Sequence, residues 1–458
     1  MATGIHNARD IAVEAIRDRA GNVSAHLDRL LGRSALPAED AALARELALG
    51  VTRRRGTLTA VLRAFLEQPD RRLPVPLEEI LHVGLYQMLF LDRVPDFAAV
   101  NEAVEQAVRH HHRRQSGLVN GVLRTIARNI SPRIAGAGTL AADVLPVCPS
   151  AHRKFGRPVF PDPNADAAGH LAAAFSLPAA LAGRWVSRYG LSQAAGVAMH
   201  ADVRAPVILR VNRLKATVDE VLASLASAGV PARRHENGLS VLLEEHLNVT
   251  ELDVFRRGLV QPQDPSATAV VTAAEPKGGA KVLDFCASPG VKTTHLAELM
   301  DNRGSITAVD VSTEKLARIE SNCRRLGVTI VTTRLAEQVG SLDPRSFDLV
   351  LADVPCSNTG VLARRAEARW RFSEDALDTL VQDEETLVSL AAEFVAPGGR
   401  LVYSTCSTEP EECSGVVRHL TARGGRLELL REQLTLPGGA DDPAKWHDGG
   451  YYAVFRAR

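Results

Sequence analysis

Between residues 281 and 455, short runs of Val, Ile, Leu and Phe alternate with helix-period stretches, and that alternation leaves few folds open to the chain. Strand-like runs fall at 281–285, 305–310, 329–333, 347–353 and 400–404, with a closing run at 451–455. Stretches of 3.6-residue period lie between them, notably at 292–300, 313–326 and 375–396. Strands joined through helices pair in parallel by right-handed crossovers and need helices on both faces. The spacing therefore predicts an α/β, Rossmann-like doubly wound sheet. Such sheets bind ligands past the carboxyl ends of their strands, so the residues that follow each run are the ones to read for chemistry.

After the first run comes Asp284-Phe285-Cys286-Ala287-Ser288-Pro289-Gly290-Val291-Lys292-Thr293, a strand end, a Pro-Gly turn and a helix start. Backbone amides at such a turn can face a ligand. Asp310 ends the next run, where a carboxylate suits the two hydroxyls of a ribose. The turn is not G-x-G-x-x-G, which disfavours NAD and leaves S-adenosylmethionine as the expected cofactor.

Two thiols also follow strand ends. Asp353-Val354-Pro355-Cys356-Ser357-Asn358-Thr359-Gly360 closes the run at 347–353, and Ser404-Thr405-Cys406-Ser407 the run at 400–404. A thiolate adding to C6 of cytosine makes C5 nucleophilic enough to attack a methyl sulfonium. A carboxyl hydrogen-bonded near N3 stabilises the charge that develops, and loss of the C5 proton then expels the thiol. One nucleophile, one acid and one group assisting elimination are needed, and Cys406, Asp353 and Cys356 are of the right kinds. Cys148, Cys323 and Cys413 read as small buried hydrophobes, and Cys286 as lining the cofactor turn without reacting. The six cysteines lack any Cys-x-x-Cys spacing, and adjacent positions in His110-His111-His112 fan out around a helix, so no metal site is expected.

At 458 residues the chain is too long for one core. Residues 1–130 read as a helical bundle: Ile11, Ala15 and Ile16, then Ile80, Leu81, Leu85 and Met88, repeat at helical spacing. Residues 131–164 are rich in Pro and Gly and read as a linker or extended arm. Residues 165–248 read as a small α+β segment, with strands at 206–212 and 241–243 around a helix at 217–228. Residues 249–458 form the sheet domain. Lys and Arg total 54 against 54 for Asp and Glu, so nothing in the net charge calls for nucleic acid. Local clusters such as Arg53-Arg54-Arg55 and Arg364-Arg365 permit RNA contact or a solvated helix face. No apolar run spans a membrane, the first residues lack a hydrophobic leader, and six cysteines are too sparse for a disulfide scaffold. A cytoplasmic monomer is expected.

The motifs around Cys356, Cys406 and residues 286–293 resemble those of the RNA cytosine-C5 methyltransferases. The helical N-terminus ending in Leu118-Val119-Asn120-Gly121-Val122-Leu123-Arg124 is similar to a NusB-type domain. Together they resemble the RsmB (Sun/Fmu) family, which methylates a cytosine of small-subunit ribosomal RNA, from about Ala8 to the C-terminus. The resemblance implies that Cys406 is the nucleophile and that Cys356 helps release the adduct, with Asp353 and Lys292 completing the catalytic set. It places S-adenosylmethionine on Cys286, Ala287, Ser288, Pro289, Gly290, Val291, Lys292, Asp310 and Asp353. Arg210-Val211-Asn212 resembles the family's Arg-x-Asn element of the RNA-binding subdomain, and Gln263-Asp264 its Gln-Asp element. Arg364, Arg365, Arg369 and Arg371 stand beyond the Pro-Cys motif as candidate phosphate contacts.

Three positions depart from the family pattern. Val291 replaces the second glycine of Pro-Gly-Gly-Lys; Thr333-Arg334-Leu335-Ala336-Glu337 lacks the adenine-side aspartate; Arg365-Ala366-Glu367 replaces His-Pro-Asp. Two rival readings follow: the same chemistry on transfer RNA or another ribosomal site, or a catalytically weak RNA-binding protein.

Overall fold

The computed structural model describes residues 7–17, 22–110, 112–422 and 425–458. They form two compact units. One comprises Met1–Arg204 with Leu362–Ser373, the other Ala205–Val361 with Glu374–Arg458.

The first unit opens with α1 (Ala8–Arg17), α2 (Val23–Gly32), α3 (Ala38–Phe65), α4 (Val75–Phe90), α5 (Asp96–Arg109) and α6 (Ser116–Arg128). Helix α6 buries one stripe, Val119, Val122, Leu123 and Ile126, whereas α4 is buried on nearly every side and forms the centre of the bundle. Residues 131–164, read as a linker or extended arm, carry regular structure of their own. They contain β1 (Ile134–Ala135), β2 (Val144–Cys148) and β3 (Ala151–Lys154), an antiparallel sheet in the order β1-β3-β2. Buried Phe155, with its ring centroid 6.0 Å from that of Phe65, holds this sheet to α3. Helices α7 (Ala167–Ala174) and α8 (Ala179–Asp202) complete the unit. The apolar stripe of α8, including Leu181 and Trp185, is buried, and α8 groups with the helical unit.

A buried charge cluster closes this unit. Asp202, at the end of α8, accepts from Arg54 Nη1 through Oδ2 at 2.9 Å and from Arg369 Nη1 through Oδ1 at 2.8 Å. Arg369 also donates to the carbonyls of Arg53, Ser176 and Ala201, and Trp370 Nε1 to that of Thr52. The expectation that Arg369 contacts phosphate is corrected: its side chain is 0% exposed. Burial pulls the Arg369 and Arg54 guanidiniums down, with Asp202 opposing it as the next influence.

The second unit begins with β4 (Val207–Val211), α9 (Val218–Ser227), β5 (Ala232–Arg234), β6 (Ser240–Leu243), α10 (Asp253–Arg256) and β7 (Val260–Pro262). These strands form an antiparallel sheet in the order β5-β6-β4-β7, so the segment runs past residue 248. Strand β7 escapes a sequence reading because it is three residues long and ends on proline.

Next come α11 (Pro265–Ala274), β8 (Lys281–Phe285), α12 (Val291–Leu299), β9 (Ser305–Asp310), α13 (Thr313–Leu326), β10 (Val331–Leu335) and β11 (Phe347–Asp353). After them lie α14 (Glu374–Ala392), β12 (Val395–Thr405), α15 (Val416–Ala422), β13 (Leu427–Thr435) and β14 (Gly450–Ala457). The seven-stranded sheet has the order β10-β9-β8-β11-β12-β14-β13, parallel except that β14 is antiparallel to both neighbours. Both faces are covered: Val350 and Ala352 of β11 pack into one core, Leu349 and Leu351 into the other. Edge strand β13 was not anticipated, because most of its residues are exposed and carry no alternation. No helix of the described residues is long and apolar enough to cross a membrane.

Removing Asp202 would leave two buried guanidiniums without a counter-charge. Asp202→Ala is expected to destabilise the helical unit by about 3–5 kcal/mol, read as a fall in the denaturant midpoint; a loss below about 1 kcal/mol would contradict the buried-clamp account.

Candidate active site

Strand β8 ends in a sharp turn that α12 continues. Gly290 has φ +88°, and a Cβ there would lie 3.0 Å from Ile319 Cγ2, so glycine is required by both strain and space. Val291 is the first residue of α12 with ordinary helical backbone, so the turn keeps its shape without a second glycine. Cys286 sits at φ +64°, an unfavourable left-handed conformation for a residue with a side chain, of the kind that collects at functional sites. Burial, with Asp310 and Asp353 next, pushes its thiol up to about 12, so it stays protonated at neutral pH.

Asp310, 4% exposed, sits at the end of β9. Its Oδ2 accepts from Ser288 N–H at 2.9 Å; its Oδ1 accepts from Val311 N–H at 2.7 Å and from Lys315 Nζ at 2.9 Å. Beneath the turn, Asp284 accepts from Thr293 Oγ1 at 2.5 Å, and its other oxygen is buried without a partner among the described residues. Burial raises the Asp284 carboxyl to about 7; the Thr293 bond opposes the shift, and Asp353 adds to it.

Parallel pairing sets Asp353 of β11 opposite Ser404 of β12. Ser404 Oγ donates to Asp353 Oδ1 at 2.7 Å and Lys292 Nζ to Oδ2 at 2.6 Å. Burial pulls the Lys292 ammonium down, but Asp353, with Cys406 next, outweighs it, and the net shift is upward. Lys292, Asp353, Ser404, Thr405 and Cys406 line one small pocket with Tyr451 and Tyr452. Ser357 Oγ and Ser407 Oγ, each one residue past its cysteine, lie 3.1 Å apart and bring the two thiol loops together. Interaction with the Cys406 side chain, then burial, then the charge of Cys406, raises the Cys356 thiol well above the usual range, so Cys356 holds a proton. Asn358 takes φ +63° and donates Nδ2 to the Cys356 carbonyl at 2.6 Å, closing the Pro-Cys loop.

Residues 271–442 match the family described as 16S rRNA methyltransferase RsmB/F, residues 6–128 the NusB family, and residues 177–250 the RsmF/B-like ferredoxin-like domain. The probable ribosomal RNA small subunit methyltransferase B of Bacillus subtilis is 31% identical over 90% of this chain and 87% of its own. The ribosomal RNA small subunit methyltransferase B of Shigella flexneri is 31% identical over 96% of both chains. The chain belongs to the ribosomal RNA small subunit methyltransferase B family. The solved structure of PH0851 shares the fold, with a TM-score of 0.73 at 23% identity over 98% of both chains.

Within this family framework, the structure brings Cys406, Cys356, Asp353 and Lys292 together, next to the turn from Cys286 to Val291 and Asp310. It separates the arginines. Arg210 and Asn212, expected to contact RNA, are buried, and this is a correction. Arg210 of β4 donates to Glu298 of α12 through Nη2 at 2.6 Å and Nε at 3.3 Å, and to the Val291 carbonyl at 3.2 Å. Asn212 Nδ2 donates to the carbonyls of Gly258 and Leu326 at 2.9 and 2.8 Å. The Arg-x-Asn element thus fastens the ferredoxin-like subdomain to the cofactor-side helix. Arg364 and Arg365 are exposed and lie in the segment grouped with the helical unit. Asp264 caps α11, accepting from Ser266 N–H at 2.8 Å. His110 pairs with Asp10 and His112 with Gln115; His111 lies outside the described residues. Sequence reasoning missed Asp284, Ser404 and Glu412 as site residues. Asp284 opens the very motif read for cofactor, whereas nothing in the one-dimensional pattern separates Glu412 from the acidic residues around it.

The pH response of Asp284 follows from its raised value. A carboxyl at about 7 when folded, against 3.8 ordinarily, contributes stability that is full below about 3.8 and lost as pH rises through about 7. The unfolding free energy of the wild type minus that of Asp284→Asn should fall across that window and level off above it; a difference that does not vary with pH would refute the buried-acid assignment.

Proposed function

We propose that this chain transfers a methyl group from S-adenosylmethionine to C5 of a cytosine in 16S ribosomal RNA, through a covalent bond between Cys406 and C6. The observation that carries the reading is that Cys406 shares a pocket with the Lys292–Asp353–Ser404 cluster while the Cys356 loop is tied to the Cys406 loop, Ser357 Oγ lying 3.1 Å from Ser407 Oγ and Gly360 N–H donating to the Cys406 carbonyl at 2.9 Å. Two strand-end thiols beside a carboxylate held by a lysine match the needs of a pyrimidine adduct.

The turn fits the cofactor. Asp310 Oδ2 carries one bond and has a lone pair for a ribose hydroxyl, and the half-exposed Lys315 is the partner such a hydroxyl would displace from Oδ1. When bound, S-adenosylmethionine supplies an electrophilic methyl on sulfonium. The protein's part is to bind the base and move electrons through it. The Cys406 thiolate bonds to C6, and the C5–C6 π electrons shift into the ring, giving C5 its nucleophilicity. The Asp353 carboxylate accepts from the cytosine 4-amino group beside N3, and the Lys292 cation offsets the negative charge that develops on N3. After methyl transfer C5 loses its proton to water and those electrons restore the C5–C6 double bond. Cys406 leaves with the Cys356 thiol as its hydrogen-bond donor. The base must be unstacked to enter, as for enzymes that act on a nucleobase. Arg364, Arg365 and Arg371, all exposed, are the remaining phosphate candidates, and a ribosomal RNA substrate is in keeping with a cytoplasmic protein.

Tritiated methyl transfer to unmodified small-subunit RNA tests the reading. Wild type should give label in 5-methylcytosine, and Cys406→Ala should fall to background. Cys356→Ala should accumulate an RNA–protein adduct that survives denaturing electrophoresis. Full turnover by either variant would overturn the assigned roles.

A further inference from the structure

Each thiol loop carries a serine immediately after its cysteine, and both serines converge on one buried carboxylate. Glu412, 0% exposed, accepts from Ser357 N–H through Oε1 at 2.7 Å and from Ser357 Oγ through Oε2 at 2.5 Å. Ser407 Oγ donates to the same Oε2. Thr359 completes the tie: its Oγ1 accepts from Thr408 N–H at 3.0 Å and lies 3.2 Å from Ser407 Oγ. Gly360 N–H donates to the Cys406 carbonyl at 2.9 Å. Glu412 stands on a single π-turn, Glu411–Gly415, whose carbonyl at Glu412 accepts from Tyr403 OH at 2.5 Å. Such turns recur at functional sites because they re-aim a side chain out of helical register.

Behind Glu412 lies a second buried acid, Glu384, which accepts from Tyr403 OH at 3.3 Å. Burial, with the charge of Glu412 next, raises Glu384 to about 10, so it stays neutral. Burial raises Glu412 as well, opposed by its bonds from Ser357 and Ser407. Two adjacent carboxyls that cannot both ionise divide their roles: a neutral acid sits behind, and the acceptor holds the loops.

We propose that Glu412 is a positioning residue that sets the spacing of the Cys356 and Cys406 loops required to release the methylated base. This rests on the two-cysteine reading above. Cys406 bonds C6 while Cys356 serves its departure, so both sulfurs must be held against one pyrimidine, and small displacements are costly. Release needs both sulfurs and so depends on the loops' mutual position, whereas of the two thiols attack uses only Cys406.

The test follows the ratio of trapped adduct to 5-methylcytosine product, together with kcat and the Kd of S-adenosylmethionine. Glu412→Ala should accumulate adduct as Cys356→Ala does, lowering kcat by roughly tenfold or more while cofactor Kd stays within about threefold. Glu412→Gln should restore most turnover, since its carbonyl still accepts from Ser357 N–H and both hydroxyls can turn to accept from its amide. A purely structural role would reduce the active fraction without changing the adduct-to-product ratio. Should Glu412→Ala fail to fold, the Ser357→Ala/Ser407→Ala pair replaces it and should show the same shift in milder form. Wild-type ratios in these variants, alongside adduct from Cys356→Ala, overturn the positioning role alone; no adduct from Cys356→Ala overturns the cysteine reading and this role with it.

Discussion

Parallel pairing of β11 between β8 and β12 is the constraint on which the catalytic unit depends. It sets Ala352 beside Phe285 and Asp353 beside Ser404, so the segments following three strands emerge together at one edge. A one-residue slip of β11 would move Val350 and Ala352 to the opposite core and carry Asp353 away from Ser404 and Lys292. The register is therefore held by both hydrophobic cores, and site geometry is a by-product of core packing.

The cluster formed at that edge is electrostatically divided. Lys292 remains a cation because Asp353 and Cys406 outweigh its burial, whereas Cys286, only two residues beyond Asp284, is held protonated by burial and by nearby carboxylates. Cys286 and Cys356 are both held protonated, whereas Cys406 lines the pocket beside the retained charge of Lys292. The same sorting separates Glu384 from Glu412.

Arginine does a different job here from the one its abundance implies. Arg54, Arg210 and Arg369 are each at most 2% exposed and are spent on Asp202, on Glu298 and on backbone carbonyls. A planar guanidinium with five donors can satisfy a carboxylate and several carbonyls at once, which lysine cannot. The segment that follows the Pro-Cys loop is anchored in the helical unit through Arg369 and Trp370.

The alternation of strands and helices, the Pro-Gly turn and the two strand-end thiols were legible in the sequence because each depends on local periodicity or on spacing along the chain. The sequence alone thus determined the sheet domain and the helical N-terminal domain, and it singled out Cys356, Cys406, Asp353 and Lys292, which the fold brings to one end of the sheet. It missed β7 and β13, where the pairing partner, not the strand's own pattern, stabilises the element. It could not tell Arg210 and Arg369 from surface arginines, nor single out Glu412. Those assignments rest on burial and on partners 88, 167 and 55 residues away, and only the tertiary structure decides which distant groups desolvate one another.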